Sequence, residues 1–189
     1  MKINRSLLLS FILMIVISAL YRILPNRPMG FAPQIAMGLF SGALFVRDKK
    51  WAFALPVLSL FISDLLYQFL YNQGLSTIQG FYDGQWVNYL FLASMTFFGF
   101  WVNTRKPANV ALAALSAPTA FFLMSNFNVW LNAPRFGLGR PQNFQGLILT
   151  YQDALPFYKN SIIATVVFSA VLFGTYYLLN RKTTQGLVA

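Results

Sequence analysis

The sequence predicts an all-α polytopic membrane protein of six transmembrane helices with both termini cytoplasmic, and three observations predict it. First, apolar stretches at 6–23, 31–46, 51–71, 86–102, 110–131 and 161–180 recur near the length that crosses a bilayer. Second, the gaps between them alternate in charge. Lys2 and Arg5 precede the first stretch, Arg47, Lys49 and Lys50 join the second to the third, Arg105 and Lys106 join the fourth to the fifth, and Arg181 and Lys182 follow the sixth. The opposite side carries Arg22, Arg27, Arg135, Arg140 and Lys159, so the positive-inside rule places the termini and the 2–3 and 4–5 loops in the cytoplasm. Third, the 189 residues are 57% hydrophobic and only 10% charged, where soluble domains carry charge on about a quarter of their residues.

Span one follows a basic start. Its apolar run is too long for a signal h-region and no small-x-small site follows, so it is expected to remain as a helix ending at Pro25. Span two is short, about 24 Å as a helix, and is expected to be shielded by its neighbours. It contains Gly38 and Gly42, four apart, a spacing that lets helix backbones approach closely; Ser59/Ser63, Ala113/Ala117 and Ala170/Gly174 repeat it. Packing within the chain is the plainer use of these pairs, contact with another subunit the other. Pro56 and Pro118 fall inside spans three and five and are expected to kink them. Residues 72–85 form a polar outer loop. Residues 132–160 form a longer one, in which Phe144, Leu147, Ile148, Tyr151 and Leu155 recur at helical spacing. They predict a short amphipathic helix in the outer 5–6 loop, lying on the surface or capping a cavity as a lid. Nothing divides the chain, so residues 1–189 are read as a single transmembrane domain.

The net charge of +10 sits in short clusters at span ends, so topology and anionic headgroups account for it and no nucleic-acid partner is expected. The chain has no cysteine, histidine or glutamate, and its only side-chain carboxylates are Asp48, Asp64, Asp83 and Asp153. Metal sites built on Cys or His, Cys/His catalysis and paired-carboxylate chemistry therefore have no residues to use. No enzyme activity, cofactor or metal is expected. Gly137 and Gly139 lack the Gly-Lys-Ser/Thr that completes a phosphate loop.

Polar groups inside spans are costly in hydrocarbon and mark candidate sites. Asp64 is the one carboxylate within a span, in the outer half of span three, with Tyr67 and Gln68 on its helix face. Span five carries Asn126 and Trp130 at the same depth, and the first turns of spans two, four and six carry Gln34, Asn88 and Asn160. Tyr151 lies in the amphipathic segment. Polar groups and aromatics converging at one depth predict a pocket open to the outside. Bonding among themselves would lock the bundle instead, and Asn88 and Asn160 also suit helix N-caps. Asn126 and Tyr67 are the expected neighbours of Asp64.

Several elements resemble a known family. Arg22-Ile23-Leu24-Pro25, Phe31-Ala32-Pro33, Gly38-Leu39-Phe40-Ser41-Gly42-Ala43, Ile62-Ser63-Asp64-Leu65-Leu66, Ser125-Asn126-Phe127-Asn128-Val129-Trp130 and the run from Tyr151 to Asn160 resemble a family of small bacterial membrane proteins assigned to transport. The resemblance covers 22–174. That family is in turn similar to the substrate-binding S components of energy-coupling factor transporters. It implies six helices in a bacterial cytoplasmic (inner) membrane and an outward-facing pocket, under loops, for a vitamin or a metal ion. It also implies reliance on a separate coupling membrane subunit and paired ATPases. The chain departs from the S-component pattern in two places. Ser6 and Ser10 stand where a span-one Ala-x-x-x-Ala contact motif is usual, and the N-terminal histidine of metal-ion members is absent. The expectation is a membrane subunit that binds a small organic solute from the outer side; the alternative is a non-catalytic accessory subunit of a larger membrane complex.

Overall fold

The computed structural model describes residues 5–185, with side chains over 11–179. Lys2 and the side chains of Arg5, Ser6, Ser10, Arg181 and Lys182 lie outside the described residues. Helices are α1 (Arg5–Arg22), α2 (Gln34–Leu44), α3 (Lys49–Asn72), α4 (Gln85–Ser94), α5 (Thr96–Phe100), α6 (Pro107–Leu131) and α7 (Phe144–Gln185). The fold is all-α across the described residues. Among the described residues three stretches are long and apolar enough to cross a membrane: Lys49–Asn72, Pro107–Leu131 and Phe144–Leu179. Phe11–Arg22 and Gln34–Leu44 are shorter apolar helices.

Helix α2 is the centre of the bundle. Its 11 residues rise only about 16 Å, yet all of Gln34–Gly42 is buried, with α3, α4, α5, α6 and α7 packed around it. Ile35, Leu39 and Phe40 meet Leu60, Leu92, Met95 and Phe173 on one side, while Met37 and Phe45 meet Phe11, Ile15 and Leu55 on the other. Small polar side chains are interspersed in this apolar core, and much of the outer surface is apolar as well. Ser18, Ser41, Ser59, Ser63, Thr96 and Thr165 are buried, whereas Leu13, Ile17, Leu65, Leu112 and Val171 face outward.

The glycine spacing in α2 serves this packing. A Cβ on Gly42 would sit 2.5 Å from the Thr96 carbonyl oxygen, and one on Gly99 would sit 2.4 Å from that of Leu39, so only glycine lets α2 and α5 touch backbone to backbone. Ala117 is fully buried and Ala113 packs against the same core. Ala170 and Gly174 correct the expectation of a fourth packing pair. Helix α7 turns Ala164, Thr165, Ser169 and Phe173 inward; Ala170 is exposed, and a Cβ on Gly174 would meet nothing within 4 Å.

The helices expected as spans one, three and five begin and end within three residues of expectation. Span four divides at Met95, whose backbone stays helical (φ −64°, ψ −22°) while its N–H turns to Leu92 O, a tightened turn. The amphipathic segment and span six are not separate. They form one helix of 42 residues, about 63 Å long, with Pro156 inside it. A single proline costs a helix about 3 kcal/mol, which packing on both sides outweighs here. Pro56 and Pro118 likewise lie within α3 and α6.

Candidate functional site

A cavity of about 630 Å³ opens at one end of the bundle, the end where α1, α3 and α6 finish and α2 and α4 begin. Arg22 closes α1, and the α1–α2 turn contributes Arg27 and Gly30. Gln34 and Ile35 come from α2, Leu60 and Asp64 from α3, and Asn88, Tyr89 and Leu92 from α4. Helix α6 adds Phe121, Phe122, Ser125, Asn126 and Val129; α7 adds Ala154, Phe157, Tyr158 and Ser161. Phe157 and Tyr158 come from the end of the expected outer 5–6 loop, Ser161 from the start of span six, and Ala154 from the amphipathic segment expected to lie on the surface or cap a cavity. This part of α7 is a wall of the cavity, held to α6 by Tyr151 Oη donating to Leu123 O (2.8 Å), by a Thr119–Tyr158 hydroxyl pair at 2.8 Å and by stacking of Phe122 on Tyr158 at 4.4 Å.

Asp64 anchors the charged side of the wall. It is 2% exposed, and each carboxylate oxygen is occupied. Arg22 Nη1 donates to Oδ1 and also to Ser63 Oγ. Gln85 Nε2 (2.5 Å) and Tyr89 Oη (2.6 Å) donate to Oδ2. The pair is held from behind. Tyr67 places its ring 5.5 Å from the Arg22 guanidinium and donates its hydroxyl to Arg22 O at 2.6 Å. Gln85 is fixed in turn by donating to Gly80 O (2.8 Å) and accepting from Tyr82 N (3.2 Å). Gly80 lies so close to α3 that a Cβ there would fall 1.9 Å from the Asp64 carbonyl oxygen. The 3–4 loop therefore packs its backbone onto the Asp64 turn and delivers Gln85 to it.

Four of the nine residues singled out from the sequence, Asp64, Gln34, Asn88 and Asn126, line the cavity. Asn126 donates to Phe122 O one turn back (2.8 Å), not to Asp64, and Asn88 donates to Tyr82 Oη. Gln34 is 3% exposed; its Nε2 reaches Ser59 Oγ at 3.4 Å, and its Oε1 has no hydrogen-bond partner among the described residues. The other five are outside the wall. Tyr67 supports Arg22 rather than touching Asp64. Gln68 accepts from Phe81 N (3.1 Å) and donates to Asn72, tying down the 3–4 loop. Trp130 donates to Pro141 O (3.1 Å) and Asn160 to Met29 O (2.9 Å), so both brace turns. Tyr151 joins α7 to α6. Neither Asn88 nor Asn160 is an N-cap, because α4 begins at Gln85 behind Gly84 in the left-handed region (φ +77°) and α7 runs through 160 unbroken.

The sequence reading missed Arg22, Arg27 and Gln85. From sequence the arginines read as topology charges, with Arg22 also part of the family resemblance, and Gln85 reads as a loop residue. The available signal was chemical: a lone carboxylate within a span needs a cation at its own depth, and Arg22 ends span one there. Among the described residues no three of His, Cys, Asp and Glu gather into a metal-ligand group, and both Asp64 oxygens are already engaged. The cavity can accept hydrogen bonds at Gln34, exchange them at Asn88, Ser125 and Asn126, and offer apolar contact from Leu60, Phe121 and Val129.

Fold and site together define a class: an all-α bundle, built on three helices of membrane-crossing length, with a polar-lined cavity at one end. The chain belongs to DUF6580, a family of unknown function whose sequence profile matches residues 2–186. No curated protein and no solved structure matches it.

Proposed function

We propose that this protein is a solute-binding subunit of a bacterial inner-membrane transporter, similar in role to an S component, that captures a small organic solute such as a vitamin from the outer side. On this reading α1, α2, α3, α4 with α5, α6 and α7 are the six spans, the termini are cytoplasmic, and the cavity opens outward because the basic clusters at 47–50 and 105–106 lie at the other end of the helices that wall it. One observation carries the proposal: a cavity of about 630 Å³, within the usual range for small-molecule sites, walled by helices from all parts of the chain and holding the unpartnered acceptor of Gln34. A coupling membrane subunit and ATPases would supply the energy, since this chain has no nucleotide-binding motif.

An accessory subunit would call for a filled bundle, and a cavity lined by buried polar groups argues against that alternative. Native mass spectrometry of protein released from its own membranes is the test. The wild type should carry a small organic adduct, and Ser125→Trp, which fills the cavity, should not. An empty wild type, with the same spectrum for Ser125→Trp, would count against the proposal.

A further inference from the structure

We infer that the solute is an anion and that Arg27 receives its negative group; the inference rests on the solute-binding reading above and specifies its ligand. The charges at this end of the molecule decide it. Three carboxylates stand there, and each already has its own arginine: Asp64 pairs with Arg22, Asp83 with Arg135 and Asp153 with Arg140. Arg27 is the arginine left over, and it lines the cavity. With Arg22 and Asp64 cancelling, and no other acidic side chain in the wall, the cavity holds one uncompensated positive charge.

The geometry presents that charge rather than hiding it. Arg27 Nε donates to Arg22 O (3.0 Å), and Nη1 donates to Pro28 O (3.3 Å) and Phe31 O (2.5 Å). These backbone carbonyls fix the guanidinium plane without neutralising it, and Nη2 keeps its two N–H groups free of partners among the described residues. A guanidinium held through Nε and Nη1 with Nη2 open offers a carboxylate or a phosphate a charged donor on that one nitrogen. Gln34 Oε1, buried and unpartnered, calls for an N–H or O–H on the same solute. Leu60, Leu92 and Phe121 supply contact for an apolar body between. The ligand class is therefore a compact amphipathic acid with one anionic group and one hydrogen-bond donor.

The absence of cysteine allows a direct test. Ser125→Cys places a thiol in the cavity wall, and Thr77→Cys places one in the exposed 3–4 loop as reference. In phosphatidylcholine nanodiscs each is reacted with anionic 2-sulfonatoethyl methanethiosulfonate and with the cationic trimethylammonioethyl reagent. The anion-to-cation rate ratio at Ser125→Cys should exceed that at Thr77→Cys by about tenfold or more, through focusing of the charge in a low-dielectric cleft. Arg27→Gln should bring the two ratios together, and Arg27→Lys should keep them apart. Labelling at Ser125→Cys with no anion preference, or one that Arg27→Gln leaves intact, would overturn the assignment while leaving the outward cavity standing. Failure of both reagents at Ser125→Cys, with Thr77→Cys reactive, would remove the solute-binding reading as well. Labelling lost only when phosphatidylglycerol is added would give the site to a lipid headgroup and overturn the soluble-solute form.

Discussion

Replacing Arg22 with methionine tests the physical core of the site. The substitution keeps an apolar stem and removes the cation. Asp64, 2% exposed, would be left with two neutral donors, Gln85 and Tyr89, against a full negative charge. Removing one partner of a buried pair leaves an uncompensated charge and costs about 3–5 kcal/mol. At roughly 2–4 °C per kcal/mol for a chain of this size, the melting temperature should fall by about 10 °C. Tyr67 would also lose the ring contact to the guanidinium but keep its bond to the backbone carbonyl of residue 22. Thermal unfolding in detergent, followed through the tryptophans, measures the loss. Arg22→Met/Asp64→Asn removes both charges, so it should be more stable than the summed single effects allow, by about 2 kcal/mol. Single variants that each cost less than about 0.5 kcal/mol and simply add would refute the reasoning.

Asp64→Asn should leave the protein folded and inserted yet strengthen capture of an anionic solute, because it leaves Arg22 as a second uncompensated cation in the cavity wall; Asp64→Leu should lower the melting temperature as well. Native mass spectra alongside melting curves separate these effects, and equal capture by Asp64→Asn and wild type would make Asp64 a structural hub only. Gly42→Ala should destabilise by about 1–3 kcal/mol, since its methyl would lie 2.5 Å from the Thr96 carbonyl oxygen, whereas Gly174→Ala should be neutral or stabilising by up to about 1 kcal/mol in an open helical position. Melting temperatures that move alike in the two variants would contradict the packing described for α2 and α5. Cysteines at positions 49 and 83 should label from opposite faces of the membrane, and labelling from the same face would overturn the six-span topology.

Much of the fold was legible because hydrophobic length and charge placement are local properties. Spans one, three and five were readable to within three residues from apolar runs and flanking arginine or lysine. Span two was legible as a short, shielded helix, because no run of that length crosses a bilayer without neighbours. The continuity of α7 was not legible. A proline and polar residues around 156–160 look like a boundary when the packing of Tyr151 and Tyr158 against α6 is unknown. The end of the bundle that carries the site was readable from where polar residues cluster, and Asp64, Gln34, Asn88 and Asn126 do meet in one cavity. Which polar group faces the cavity and which braces a loop depends on side-chain direction, so Gln68, Trp130 and Asn160 could not be told from Gln34. The partnership of Arg22 with Asp64 joins residues 42 apart in sequence. Neither periodicity nor composition encodes such a pairing; only the need for charge balance hints at it.

A solute-binding role requires that the end cavity hold a solute. An experimental density map of the protein, released gently from its own membranes, addresses this most directly. With solute bound, the map should show a compact non-protein feature between α2, α4 and α6, touching Gln34 and Asn126, with one end against Arg27 and the Arg22–Asp64 pair intact beneath it. A cavity filled by the protein's own side chains, or by an acyl chain entering from the bilayer, would contradict that role.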